Sequence, residues 1–277
     1  MKKLYPEERL ARIMEIIGEQ RKVEVDQLSE SFGVTGATIR ADLRELQKRN
    51  LVRRTHGGAL LNGPELERLT VPADPAYRER VRENHECKAA IGKAAAEFVD
   101  EEDSIIIDDG STTLQVIESL DPDLRLTILT NGLDICYELL KHPTAVVYST
   151  GGKVNKEDFS YYGSVAKEVT SRFNATKAIL GASGVSIDRG ITTPSEEKAE
   201  LKRAMIGNSE QVIIVADHTK INRASFIEVC PLEKIDVLIT DDGAPTDFVE
   251  ALRSMGITVL LATTGEGRHN ESRMGSR

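Results

Sequence analysis

The stretch VTGATIRADLRELQKRNLVRRTHGGAL, residues 34–60, places a helix start, an amphipathic helix and a basic hairpin in immediate succession. Thr35 is of the type that caps a helix, its hydroxyl accepting a backbone N–H that the first turn leaves unpaired. Ile39, Leu43 and Leu46 then recur at helical spacing on one face. The other face carries Thr38, Arg40, Arg44 and Lys48, donors that reach phosphates or base edges from a helix laid in a major groove. Residues 51–60 read as a short two-stranded wing: Leu51, Val52, the paired bases Arg53 and Arg54, Thr55, His56 and a Gly57-Gly58 turn. A charged face on one amphipathic helix is more often solvated surface than a nucleic-acid contact, so what precedes it carries weight. Leu10, Ile13, Met14 and Ile17 keep helical spacing, Val25, Leu28 and Phe32 follow, and Gly33 is a turn residue just before the cap. Helix, helix, tight turn, helix, wing is the order of a winged helix-turn-helix, in which the last helix reads the groove and the first two support it. The residues expected on double-stranded operator DNA are Thr35, Gly36, Thr38, Ile39, Arg40, Arg44, Arg53, Arg54 and His56.

The run Thr38-Ile39-Arg40-Ala41-Asp42-Leu43, followed by Arg54-Thr55-His56-Gly57-Gly58-Ala59, resembles the DNA-binding signature of the DeoR family of bacterial transcriptional regulators. The chain departs from that signature at Ala41, where the family usually has a second Arg.

Charge is distributed to match. The chain of 277 residues carries a net charge of −9, yet residues 1–60 hold 12 Lys and Arg against 9 Asp and Glu, an excess of +3, while residues 61–277 sum to −12. A basic segment attached to an acidic one is the distribution of a DNA-binding domain joined to a regulatory domain. With 40% hydrophobic and 29% charged residues, the composition is that of an ordinary globular chain. No apolar run approaches the roughly 20 residues of a membrane span, and the start MKKLYPEERLAR lacks the apolar segment of a secretory signal, so a cytoplasmic protein with no membrane partner is expected. Cys87, Cys136 and Cys230 are odd in number and widely spaced, which points to packed thiols rather than disulfides. His85 beside Cys87 is too little for a metal site, and neither a metal nor another cofactor is expected.

Residues 61–75, LNGPELERLTVPADP, hold three of the nine prolines and a Gly and read as a linker. A DNA-binding domain is therefore placed at 1–60, a sensor domain at 76–262 and a tail without apolar pattern at 263–277. Helical spacing returns over 77–99 through Tyr77, Val81, Ala89, Ile91, Ala95 and Phe98. From Ser104 onward, β-rich runs at 105–108, 126–130, 145–149, 178–181, 212–216, 237–240 and 257–261 alternate with helical segments. Runs such as Ile105-Ile106-Ile107 lack period-two alternation, as strands covered on both faces do. The expected architecture is α/β, a mainly parallel sheet with helices on both sides and a ligand crevice at the carboxyl ends of its strands.

Those strand ends hold small polar residues. Asp108-Asp109-Gly110-Ser111-Thr112-Thr113 lies between a strand and a helix, where hydroxyls and the unpaired N–H groups of a helix start suit a phosphate, although Ser or Thr there also serves as a plain cap. The other ends are Thr130-Asn131-Gly132, Ser149-Thr150-Gly151-Gly152-Lys153 and Gly181-Ala182-Ser183-Gly184. DDGSTT, the TNG and STGG turns, GASGV and KRAMI…VADHTK resemble the DeoR sensor domain, which is similar in fold to ribose-5-phosphate isomerase. The resemblance implies a phosphorylated sugar effector, with Ser111, Thr112 and Thr113 on the phosphate and Asp108, Asn131 and Lys220 around the sugar. Gly110, Thr130, Gly151, Gly152, Lys153 and Gly181 complete the expected site. Sugar-phosphate isomerisation is the competing reading, with Asp108, Asp109 and Lys220 cast as base and electrophile. It is disfavoured by the attached DNA-binding segment and by the lack of a carboxylate in Gly181-Ala182-Ser183-Gly184. One winged domain offers few contacts, so a homodimer or homotetramer on repeated half-sites is expected.

Overall fold

The computed structural model describes residues 9, 10, 12–14, 16, 17, 22–48, 52–55, 57–61 and 75–264. The chain divides into two compact units, Met1–Ala73 and Asp74–Arg277. Most of the expected linker and tail, and His56 of the wing, lie outside the described residues.

In the first unit, the described residues between 9 and 17 are helical. Strand β1 (Lys22–Glu24) runs straight into the helix Val25–Phe32, which closes on Gly33 in the left-handed conformation at φ 62°. The helix Gly36–Lys48 follows, then β2 (Val52–Arg54) and β3 (Gly58–Leu61). The expected two-stranded wing has a third strand: β1 pairs antiparallel with β3, giving the order β1-β3-β2. Gly58 is consequently part of β3 and not only a turn residue. A Cβ on it would stand 1.9 Å from the Val23 carbonyl oxygen, so β1 can lie there only against glycine. The core is the apolar set expected from spacing, Leu10, Ile13, Ile17, Leu28, Ile39, Leu43 and Leu46, joined by Val23, Val52 and Ala59 from the sheet.

Each of the seven β-rich runs expected in the second unit is a strand: β4 (Ser104–Ile107), β5 (Thr127–Thr130), β6 (Val146–Ser149), then, after two short strands, β9 (Ala175–Gly181), β12 (Ser209–Val215), β14 (Val237–Asp241) and β15 (Thr258–Ala262). They form one sheet in the order β15-β14-β12-β9-β4-β5-β6, with every neighbouring pair parallel. Alternate residues enter opposite layers. Ile105, Ile107, Ile179 and Ile213 pack with the helices His85–Ala96 and Ser111–Ser119, whereas Ile106, Leu180 and Ile214 pack with the helices Ser164–Thr170 and Glu196–Gly207. Apolar runs without alternation are what such a two-sided core requires.

Spacing did not reveal two smaller sheets. β7 (Lys153–Asn155) and β8 (Ser160–Tyr162) form a hairpin, and β10 (Gly184–Ser186), β11 (Gly190–Thr193) and β13 (Ile227–Cys230) form an antiparallel sheet. The helix expected over 77–99 is two helices, Pro75–Arg82 and His85–Ala96, broken where Asn84 turns left-handed at φ 51°. The Lys88 ammonium donates to the Glu83 carbonyl at 2.6 Å and to that of Arg80, satisfying oxygens that the first helix leaves unpaired at its end.

Candidate DNA interface and effector cavity

On the helix Gly36–Lys48, the Thr35 hydroxyl accepts the Thr38 N–H at 3.3 Å and lies 3.0 Å from the Thr38 hydroxyl, so Thr35 is the cap. Arg40, Arg44 and Lys48 are exposed, as are Arg53 and Arg54 on β2. Ile39, expected among the DNA contacts, instead has no exposed surface and packs with Leu43 and Leu46, because its helical position is on the core face. Asp42 is buried on that face as well. Arg9 donates to both its oxygens, from Nε at 2.5 Å and Nη2 at 2.9 Å, fastening the first helix to the fourth residue after Thr38. That hydrogen bond raises the Arg9 pKa above the usual guanidinium value.

In the second unit, strand order reverses between β4 and β9: β5 and β6 extend one way, β12, β14 and β15 the other. Crevices open beyond the carboxyl ends of strands at such a switch. A cavity of about 200 Å³ lies there, taking Asp109, Gly110, Ser111 and Thr112 from after β4, Gly181 to Ser183 from β9 onward, and Ala216, Asp217 and Lys220 from after β12. Arg80, Lys88, Lys198 and Lys202 add four further cations from helices.

Five of the residues expected at the effector line this cavity: Gly110, Ser111, Thr112, Gly181 and Lys220. The rest are placed otherwise. Thr113 has no exposed surface, and its hydroxyl donates to the carbonyls of Asp108 at 2.9 Å and Gly110 at 3.0 Å, so it holds the loop from within. Asp108 is buried behind the cavity wall, accepting the Gly181 N–H at 2.9 Å and pairing with the Lys202 ammonium. Thr130 and Asn131 are likewise buried. The Thr130 hydroxyl accepts the Gly132 N–H at 3.0 Å, and Asn131 donates to Asp109 at 2.8 Å while accepting the Asp109 N–H at 3.0 Å. Gly151, Gly152 and Lys153 do not line the cavity, and Lys153 lies 3.4 Å from Glu197 on the surface.

The partners of each charged group decide what the cavity can hold. Arg80 and Lys198 both reach Asp158, at 2.9 and 2.7 Å. Burial lowers the Lys202 pKa to about 7, and the Asp108 carboxylate in contact with it works against that loss of charge. The Lys220 ammonium makes no hydrogen bond or ion pair with the described residues. Asp109 is fixed by Asn131 and by the Tyr162 hydroxyl, which donates to it at 2.5 Å. Burial, then the Asp109 charge, keeps that phenol well above its usual pKa and therefore a donor. The cavity thus combines a helix start bearing two hydroxyls with an unpaired ammonium and a fixed carboxylate. An anion is attracted at the first two and hydroxyl donors at the third. Helical lysines on their own read as solvated surface, so Lys198 gave no signal in the sequence, while Lys88 falls in the stretch 86–91, which resembles the family pattern. Lys202 and Asp217 do fall inside the KRAMI and VADHTK runs.

A winged helix-turn-helix with an exposed arginine face, followed by an α/β unit with a cavity lined by charged and hydroxyl groups, defines a two-unit DNA-binding regulator. The DeoR-like helix-turn-helix domain matches residues 9–65 and the DeoR C terminal sensor domain matches residues 83–242. The chain belongs to the DeoR family of transcriptional regulators and is a DNA-binding regulator. It is 31% identical over 254 residues to the putative aga operon transcriptional repressor of Escherichia coli O157:H7, covering 92% of this chain and 93% of that one. It is 36% identical over 241 residues to the transcriptional repressor AccR of Agrobacterium fabrum, covering 87% and 91%. Among solved structures, ribose 5 phosphate isomerase A from Neisseria gonorrhoeae aligns with 48% of this chain and 52% of its own at 21% identity, with a TM-score of 0.36. Among the described residues, no helix is long and apolar enough to cross a membrane.

Proposed function

We propose that this protein is a repressor of a carbohydrate-metabolism operon, released from or held on its operator by a phosphorylated sugar bound in the cavity of the second unit. The observation that carries the effector class is the cavity's pairing of the Ser111 and Thr112 helix start with the Lys220 ammonium, which has no partner among the described residues. A phosphate accepts from the hydroxyls and the free N–H groups of the first turn while its charge is met by Lys220. Asp109 then accepts from sugar hydroxyls, its other partners holding it in place. The relatives named above are repressors, which supports the same sense of control here. On the DNA side, Arg40 and Arg44 are assigned to the groove and Arg53 and Arg54 to phosphates, with an even-numbered homo-oligomer presenting two such surfaces to repeated half-sites.

A thermal-shift panel of sugar phosphates and their unphosphorylated parents tests the effector class, since a ligand that binds only the folded state raises its melting temperature. Phosphorylated sugars should stabilise the wild type, and less so Lys220→Ala. Equal stabilisation by the unphosphorylated sugars, or none by any phosphate, would count against the reading.

A further inference from the structure

Cys87, His218 and Asp241 reach one point from three places in the second unit. They come from the first turn of the helix His85–Ala96, the 3-10 turn His218–Lys220 after β12, and the last residue of β14. One ligand-type atom from each lies within 4.8 Å of the other two, an arrangement found at no other group of three His, Cys, Asp or Glu residues among those described.

The cluster is built rather than incidental. Asp241 is buried and held from two sides: the His218 N–H donates to Oδ1 at 2.7 Å and the Gly243 N–H to Oδ2 at 3.2 Å. The His218 Nδ1 sits 2.7 Å from the same Oδ2. A Cβ at Gly243 would stand 2.8 Å from the imidazole Cγ and 2.9 Å from Nδ1, so backbone presses on the ring where only glycine fits. The His218 side chain remains 36% exposed, leaving one side of the cluster open to solvent. Pinning of a turn by a His–Asp contact would account for two of the three residues; the Cys87 thiol, hydrogen-bonded to the same carboxylate, brings a third ligand type to it. Burial and then the Asp241 charge push the Cys87 thiol up to about 11, which disfavours a nucleophilic thiolate in the absence of a cation.

We propose that Cys87, His218 and Asp241 are the three protein ligands of a site for a divalent cation of the zinc class, with water in the fourth position. Thiolate with imidazole selects zinc and its transition-metal neighbours over magnesium and calcium, and three protein ligands with one open position is a familiar zinc arrangement. Bond lengths of about 2.0–2.3 Å put tetrahedral ligands roughly 3.5 Å apart, so on binding the widest pair closes by about 1 Å while the 2.7 Å contact between His218 Nδ1 and Asp241 opens and its hydrogen bond gives way to the metal. The thiol proton leaves to solvent as the sulfur ligates, and affinity therefore rises with pH. None of the three residues lines the effector cavity, but their chain neighbours Lys88 and Asp217 do.

The test uses the full-length protein and metal alone, without sugar phosphate or DNA, so its outcome is independent of the effector assignment. Chelator-stripped protein is titrated with zinc against a chromophoric competitor, and with cobalt in parallel for its sulfur-to-metal charge-transfer absorption. One zinc per chain is expected, with the charge-transfer band present in the wild type and in Cys136→Ser and absent from Cys87→Ser. Zinc affinity should fall at least about tenfold in Cys87→Ser and His218→Gln. Cys87→Ser is nearly isosteric and decides the matter alone if His218→Gln does not fold. Substoichiometric zinc, a cobalt spectrum lacking the thiolate band, or an affinity unchanged by Cys87→Ser would overturn the proposal.

Discussion

Thr112 and Thr113 are adjacent and chemically alike, yet the structure gives them opposite work. Thr112 lines the cavity, while Thr113 spends its hydroxyl on two carbonyls of the preceding loop. Thr112→Val should weaken sugar-phosphate binding with little change in stability. Thr113→Val should cost about 1–3 kcal/mol of stability, because the buried Asp108 carbonyl loses a donor; calorimetry and urea unfolding of both variants separate the two effects. On the DNA side, Arg40→Ala should lower operator binding by about 1–3 kcal/mol and relax sequence discrimination. Arg53→Ala or Arg54→Ala should weaken specific and non-specific DNA equally and flatten the salt dependence. Equal losses on operator and random DNA for Arg40→Ala would remove it from the groove. In the second unit, His142 is buried with Nδ1 unpartnered among the described residues, and burial lowers its pKa below the ordinary 6.5. A depressed folded pKa means stability that is present above pH 6.5 and lost as pH falls through the folded value. His142→Leu should therefore show a smaller fall in melting temperature on acidification than the wild type.

At the scale of elements, two contacts carry specific risk. The Arg9–Asp42 pair joins two helices of the first unit, with both side chains 9% exposed. Asp42→Asn removes the negative charge held against a buried guanidinium, a change that costs up to about 3–5 kcal/mol, so DNA binding should weaken while the second unit still melts as in the wild type. In the second unit, the helices His85–Ala96 and Ser111–Ser119 meet at Gly92, where a Cβ would lie 2.5 Å from the Gln115 backbone. Gly92→Ala should separate those helices and displace the Ser111–Thr112 helix start, lowering thermal stability and sugar-phosphate affinity together; an unchanged melt would contradict this packing. The central parallel strands were legible because a strand buried on both faces must be apolar throughout, as Ile105-Ile106-Ile107 is, while the edge strands β6 and β15 showed only as short β-rich runs. β7, β8 and β10 span three residues each, too few for a period to show, and β1 announces itself only by Val23 between two charges. The break at Asn84 was hidden for a different reason: apolar spacing continues across it, and the lysine that closes it reads as surface. Loops after strands disclosed half of the cavity, since small polar residues there have few other uses. Four of its cations come from helices, and Lys198 could be assigned only once the chain was folded.

Across the whole molecule, charge is divided between an N-terminal segment with an excess of +3 and a remainder of −12. An excess that small gives one winged domain limited hold on DNA, and pairing two on repeated half-sites multiplies the contacts. Light scattering on the full chain should accordingly return an even number of subunits, and a monomer at the concentration that saturates operator would argue otherwise. The account's central claim is that a phosphorylated sugar in the cavity changes operator affinity, which requires a ligand that prefers one arrangement of the protein over another. Such coupling is reciprocal: if the sugar phosphate shifts operator affinity tenfold, about 1.4 kcal/mol, operator DNA must shift sugar-phosphate affinity by the same factor. The most direct measurement is calorimetric titration of the best-binding sugar phosphate into the protein with and without saturating operator DNA. The predicted result is two different affinities whose ratio equals the shift in operator binding measured with the ligand present, with both shifts abolished in Lys220→Ala. Sugar-phosphate affinity that is the same with and without operator would contradict the claim.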